Sequence, residues 1–132
     1  MEGIAVEFSL YYHILQKSPW DAYETEFYLE GDAKYQHCWM GYLAESIDFW
    51  QGSWHKKIHE KPYWMGLTPD GNEGYDFYTA DEMIHAPVFD GQSLEAVWPH
   101  VRIRSAAGMD GKEWLKEQKQ KYEKEDGFGT YA

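Results

Sequence analysis

Cysteine is almost absent from this chain: Cys38 is the only one in 132 residues. A disulfide framework is therefore excluded, and a reducing, cytoplasmic setting is expected. Long apolar runs are missing as well, and none approaches the ~18 residues of a membrane span. Met1-Glu2-Gly3 lacks the basic and then apolar opening of a secretory leader. Positive charge is scarce, with 12 Lys and Arg against 23 Asp and Glu, a net charge of −11. Residues 1–100 hold 5 cations and 17 anions, a net of −12, and residues 101–132 hold 7 and 6, a net of +1. An acidic body repels nucleic-acid phosphates and anionic lipid headgroups, so direct nucleic-acid and membrane binding are set aside. A basic protein is the natural complement, although acidity also serves simply to keep an aromatic-rich chain dissolved. The signatures of nucleotide and acyl-transfer chemistry are absent too: there is no glycine loop with its phosphate-binding lysine, no Gly-x-Ser-x-Gly and no dinucleotide fingerprint.

What the chain has in abundance is aromatic side chains, 18% of its residues. It also writes one tripeptide twice, Trp39-Met40-Gly41 and Trp64-Met65-Gly66. Two copies are too few for a solenoid, which needs three or more. Two aromatic strands with matching centres are expected to be neighbours in a sheet, with Trp39 or Trp64 folded over a glycine of the partner strand. The aromatics outnumber what a core of this size requires, so several are expected to face outward.

Periodicity predicts an α+β fold: a mainly antiparallel sheet of 5–6 strands with an N-terminal meander, short helices, and a C-terminal helix packed on one face. Ile4, Val6, Phe8, Leu10, Tyr12 and Ile14 alternate as a half-buried strand would, which puts Tyr11 on its other side. Ser18-Pro19 breaks that pattern. A second strand runs from Tyr23 to Glu30, with Thr25, Phe27 and Leu29 inward and Glu24, Glu26, Tyr28 and Glu30 toward water. A third runs from Tyr35 to Leu43. Residues 44–61 read as a long loop or an irregular hairpin arm, with Trp50 and Trp54 inside it. Tyr63 to Leu67 and Tyr75 to Tyr78 read as strands around a turn-rich Thr68 to Gly74. Thr79 and Glu82 match a capping box for a short helix ended by Pro87, and Ser93 opens another. Val101 to Ser105 is the last expected strand. The final helix starts near Asp110, with Trp114, Leu115, Gln118 and Tyr122 on its inner stripe. One domain over 1–126 and a loose tail over 127–132 are expected.

Candidate chemistry is thin. His55 and His59 share a face on a helix, but two lysines lie between them and no glutamate follows His55; Glu45 or Glu60 would have to supply a third ligand. A core position is the ordinary meaning of Cys38, because His37 beside it points to the opposite face and His13 or His85 would have to approach in space. Asp70-Gly71-Asn72-Glu73-Gly74 lacks the ordered acids of a calcium loop. A solvated face is the ordinary meaning of the row Glu24, Glu26 and Glu30. Accordingly no catalytic residue, metal ligand or cofactor is assigned. The expected function is a non-enzymatic, acidic, aromatic-rich interaction module of inhibitor or immunity type. Trp50, Trp54 and Trp64 are its expected anchors, and Tyr28, Glu24, Glu26 and Glu30 its charged face toward a basic protein. The alternative is a small-molecule-binding domain or small enzyme, with a cleft lined by His37, Trp39, Trp50, Trp54 and Tyr63. A homodimer that buries its own outward aromatics is a further possibility.

Overall fold

The computed structural model describes residues 2–123, so the expected tail at 127–132 lies outside the described residues. Among the described residues there are eight strands and four α-helices, with six of the strands following one another after the first helix. The strands are β1 (Glu24–Leu29), β2 (Cys38–Tyr42), β3 (Glu45–Trp50), β4 (Ser53–Ile58), β5 (Tyr63–Gly66), β6 (Gly74–Phe77), β7 (Val101–Ala106) and β8 (Met109–Asp110). The helices are α1 (Phe8–Lys17), α2 (Ala80–His85), α3 (Leu94–Val97) and α4 (Gly111–Glu123). The fold is α+β. Six strands form one antiparallel sheet in the order β6-β5-β2-β1-β7-β8, and β3 and β4 pair only with each other.

The stretch 4–14 is not a strand. It contributes one bridge, Ile4 to Ile103, and then winds into α1. Its apolar residues fit two periods. A strand buries Phe8, Leu10, Tyr12 and Ile14 and leaves Tyr11 and Leu15 wet. A helix gathers Leu10, Tyr11, Ile14 and Leu15 on one face, and those four are fully buried. The expectation that Tyr11 lies on the open side of the sheet is thereby overturned. Tyr11 sits under the helices, where its hydroxyl donates to Thr25 Oγ1 at 2.8 Å and burial pushes its pKa up. The meander accordingly starts at β1 and runs through β2, β5 and β6.

Helices cover one face of the sheet. Thr25, Phe27, Leu29, Cys38, Met40, Tyr63, Met65, Val101 and Ile103 point into it and are buried. Three polar tips tie these elements together: Tyr63 of the sheet donates to the Leu15 carbonyl of α1 at 2.8 Å, and within the helical side Trp114 donates to that of Asp21 at 2.8 Å and Trp98 to that of Val6 at 2.6 Å. Short helices begin where side-chain oxygens satisfy their first amides. Thr79 accepts from the Glu82 amide and Ser93 from the Ala96 amide, while the Glu82 carboxylate reaches back to the Tyr78 amide.

The repeated tripeptide pairs with itself. Trp39 lies opposite Gly66, Met40 opposite Met65 and Gly41 opposite Trp64. Both methionines face the helices, and both tryptophans face away. The two glycines are not equivalent. A Cβ on Gly41 would stand 1.8 Å from the Tyr23 carbonyl oxygen and 2.9 Å from the Trp64 ring, whereas one on Gly66 would meet nothing. Trp64 therefore lies over its partner glycine, and Trp39 does not.

Residues 44–61 form a hairpin arm, regular rather than irregular. Gln51 and Gly52 both have positive φ, 50° and 80°, which is the two-residue turn whose twist suits a hairpin. The arm prolongs β2 and β5, because the Leu43 amide donates to the Pro62 carbonyl and the His59 amide to that of Ala44. Between the ladders one strand spends two residues, 43–44, and the other four, 59–62. Unequal strands bend a ladder, and this bend carries the arm away from the sheet.

Candidate functional site

The face of the sheet that the helices leave open holds most of the residues singled out from sequence. Register places Glu26 beside Trp39, Glu24 beside Gly41, and Trp64 beside Asp76. Tyr28 lies beside Arg102. Chemically this face has two halves. In the first, Arg104 stacks over the Tyr28 ring at 4.1 Å and donates to the Gln36 carbonyl, and Arg102 pairs with Glu30 at 3.1 Å. The Gly3 amide donates to the Tyr28 hydroxyl at 3.2 Å. Tyr28 and Glu30 are therefore engaged within the chain. The second half holds Glu24, Glu26, Asp76, Trp39 and Trp64. Among the described residues none of these three carboxylates has a cationic partner. Trp39 is 40% exposed and Trp64 half-buried. A shallow cleft of about 260 Å³ between Tyr23, Glu24, Tyr42, Leu43 and Trp64 joins this half to the root of the arm.

Trp50 and Trp54 lie on the arm, on opposite sides. Trp54 packs on Phe49 with ring centroids 5.0 Å apart, and alternation adds Ile47 and Ile58 to the same side. Following the strand back through Leu43 brings that side round to Trp64. Trp50 points the other way and stacks flat on His55 at 3.8 Å. The expected anchors are thus divided: Trp64 is on the sheet, Trp54 on the arm side continuous with it, and Trp50 on the reverse.

Residues that sequence reasoning left out are Arg102, Arg104 and Asp76. The signal for the arginines was present, since Val101 and Ile103 point inward and a strand must then show Arg102 and Arg104 on the other side.

The five residues of the expected small-molecule cleft do not converge. Tyr63 is on the helix side, Trp39 is on the open side and Trp50 is on the back of the arm. A larger cavity, about 400 Å³, lies elsewhere, between Val6, Phe8, Glu95, Trp98, Arg102 and Leu115. The histidines of the arm are occupied: His55 contacts Ser53 and the Trp50 carbonyl, and His59 contacts Ser46 at 2.9 Å. Cys38 is buried with its Sγ 3.7 Å from the Leu67 carbonyl oxygen, and burial first, then Asp32, pushes its thiol up to about 12. A thiol held protonated this way is a poor nucleophile. The Asp70 carboxylate caps its own turn, accepting from the Asn72 amide and the Thr68 hydroxyl, which lowers its pKa.

Comparison with protein-family models, with curated proteins and with solved structures finds no match to this chain.

Proposed function

We propose that this chain is a non-enzymatic interaction module that binds a basic protein through the Glu24, Glu26, Trp39, Trp64 and Asp76 half of its open sheet face. One observation carries the reading: the helices cover one face, and the other presents carboxylates without a cationic partner among the described residues, beside two outward indoles. Aromatic anchors supply contact energy when a partner excludes water from them, and the surrounding charge sets the encounter rate and the preferred sign of partner. The net charge of −11 acts in the same direction. Capture from a native lysate tests this, using the wild-type chain beside Glu24→Lys/Glu26→Lys. The expected catch is a protein of high isoelectric point, released by salt and lost with the double reversal. An identical catch with the reversed variant overturns the reading, as does one consisting only of nucleotides or sugars. The latter result would favour small-molecule binding, for which the 400 Å³ cavity beside Phe8 and Trp98 is the supporting observation.

A further inference from the structure

We propose that the apolar side of the β3–β4 arm is covered by the same side of the arm of a second copy of this chain. Ile47, Phe49, Trp54 and Ile58 share that side and are between 59% and 72% exposed. A two-stranded hairpin alone in water is marginal, and no helix or third strand among the described residues packs on this one. With Leu43 at its root, the patch leaves roughly 500 Å² uncovered, taking 150–250 Å² for each large aromatic side chain. Two such patches face to face remove about 1,000 Å² from water, the lower edge of what a specific pair of proteins needs.

Charge selects a copy over a basic partner at this place. Residues 43–62 carry Lys56, Lys57 and Lys61 against Glu45, Asp48 and Glu60, a net of zero, so the rest of the chain holds the whole −11. On the apolar side the charges are Lys56 and Glu45, already paired at 3.1 Å, and no unpaired charge would enter a contact. The acidic bodies do repel one another. The arm, however, is six residues deep, about 20 Å at 3.4 Å per residue, against a screening length of about 8 Å at physiological salt. Contact between arms packed antiparallel, each tip toward the other's root, therefore holds the bodies beyond most of their repulsion. Salt should strengthen this contact, the opposite of its effect on a basic partner at the open sheet face, so the two readings stand or fall separately.

Sedimentation of the purified chain tests the proposal, over about 1–200 µM, the range that a modest interface demands. The expected result is a concentration-dependent shift from 15.6 kDa toward twice that mass, enhanced by salt. Trp54→Lys should weaken it at least tenfold, and Phe49→Ser, which leaves Trp54 in place, should weaken it as well. Both positions are exposed, so circular dichroism should show each variant folded. Glu26→Lys, on the open sheet face, should leave the shift unchanged. A single-chain mass throughout overturns the proposal, as does a dimer indifferent to both arm variants. Arm amides that gain protection from exchange only when a basic protein is added would assign the arm to that partner instead, and would overturn it too.

Discussion

The sheet body and the arm are built from the same ladder, and Trp114 and Trp54 mark how differently each is treated. β2 and β5 run on into β3 and β4 with a break of a few residues. Below the break one side of the ladder lies under helices, and Met40 and Met65 are sealed from water. Above it neither side is covered among the described residues, and Phe49 and Trp54 pack on each other while both stay largely exposed. Hydrogen bonding is alike in the two regions, so the difference lies in area removed from water, the main favourable term in folding. The body should therefore hold nearly all of the stability, while the arm and the open sheet face hold surface that is free to bind.

The sharpest way to break this contrast is to truncate one tryptophan in each region. Trp114 is fully buried and donates to the Asp21 carbonyl. Trp114→Ala should cost about 3–5 kcal/mol in urea or thermal unfolding. Trp54→Ala, at an exposed position, should change stability by less than about 0.5 kcal/mol. Equal losses would mean that the arm is part of the cooperative core.

Thiol chemistry compares the regions by a second route. Cys38 is buried in the body with its thiol pushed up to about 12, against an ordinary value near 8.5. Its native alkylation at pH 8 should be slowed on the order of a thousandfold. Ser53→Cys, at the exposed arm tip, should give a thiol that reacts at the ordinary rate in the same sample. The sign for stability follows. Because the folded state holds the proton more tightly, the Cys38 contribution is complete below about pH 8.5 and declines as pH rises toward 12. The offset between thermal melts with and without Cys38→Ala should therefore be constant below about pH 8.5 and change only on the alkaline side, where the wild type alone loses stability.

The repeat supplies a comparison inside the body. Gly41→Ala drives a methyl group into the Tyr23 carbonyl, which belongs to backbone and cannot swing aside. The expected cost is about 1–3 kcal/mol or more. Gly66→Ala meets open space and should be neutral or stabilising by up to about 1 kcal/mol, through a less flexible unfolded chain. A denaturation curve for each variant decides it. Identical curves would mean that the Trp64 and Tyr23 contacts over Gly41 give way easily.

How much of this was legible varied along the chain for physical reasons. Alternation located β1, the dense turn formers from Thr68 to Gly74 located β5 and β6 on either side, and the capping residues Thr79 and Ser93 located α2 and α3, because in each case one period, turn or cap dominates. Alternation failed at 4–14, where period two and the helical period both fit and only burial against Trp98 and Trp114 decides between them. The face shared by Glu24, Glu26, Tyr28 and Glu30 followed from alternation too. That Arg104 and Gly3 occupy Tyr28 did not, since both contacts join residues far apart in sequence. The turn at Gln51-Gly52 lacks the Asn-Gly or Asp-Gly signal of its type, so the arm did not read as a regular hairpin.

That weak turn signal gives the smallest expected effect. Gln51 holds a φ of 50°, a region that asparagine adopts more readily than glutamine. Gln51→Asn should therefore stabilise the arm by a few tenths of a kcal/mol, up to about 0.5. An arm that opens independently of the body leaves the global unfolding midpoint where it is, which is the expected result. The gain should appear as slower hydrogen exchange at the amides of β3 and β4, with those of β1 and β2 unchanged. At concentrations where the arm is paired with a second copy the same substitution should add little, because covered amides are already protected. An equal gain in arm protection at low and high concentration would indicate that the arms remain unpaired across that range, while a shift in the global midpoint would show that arm and body unfold as one unit.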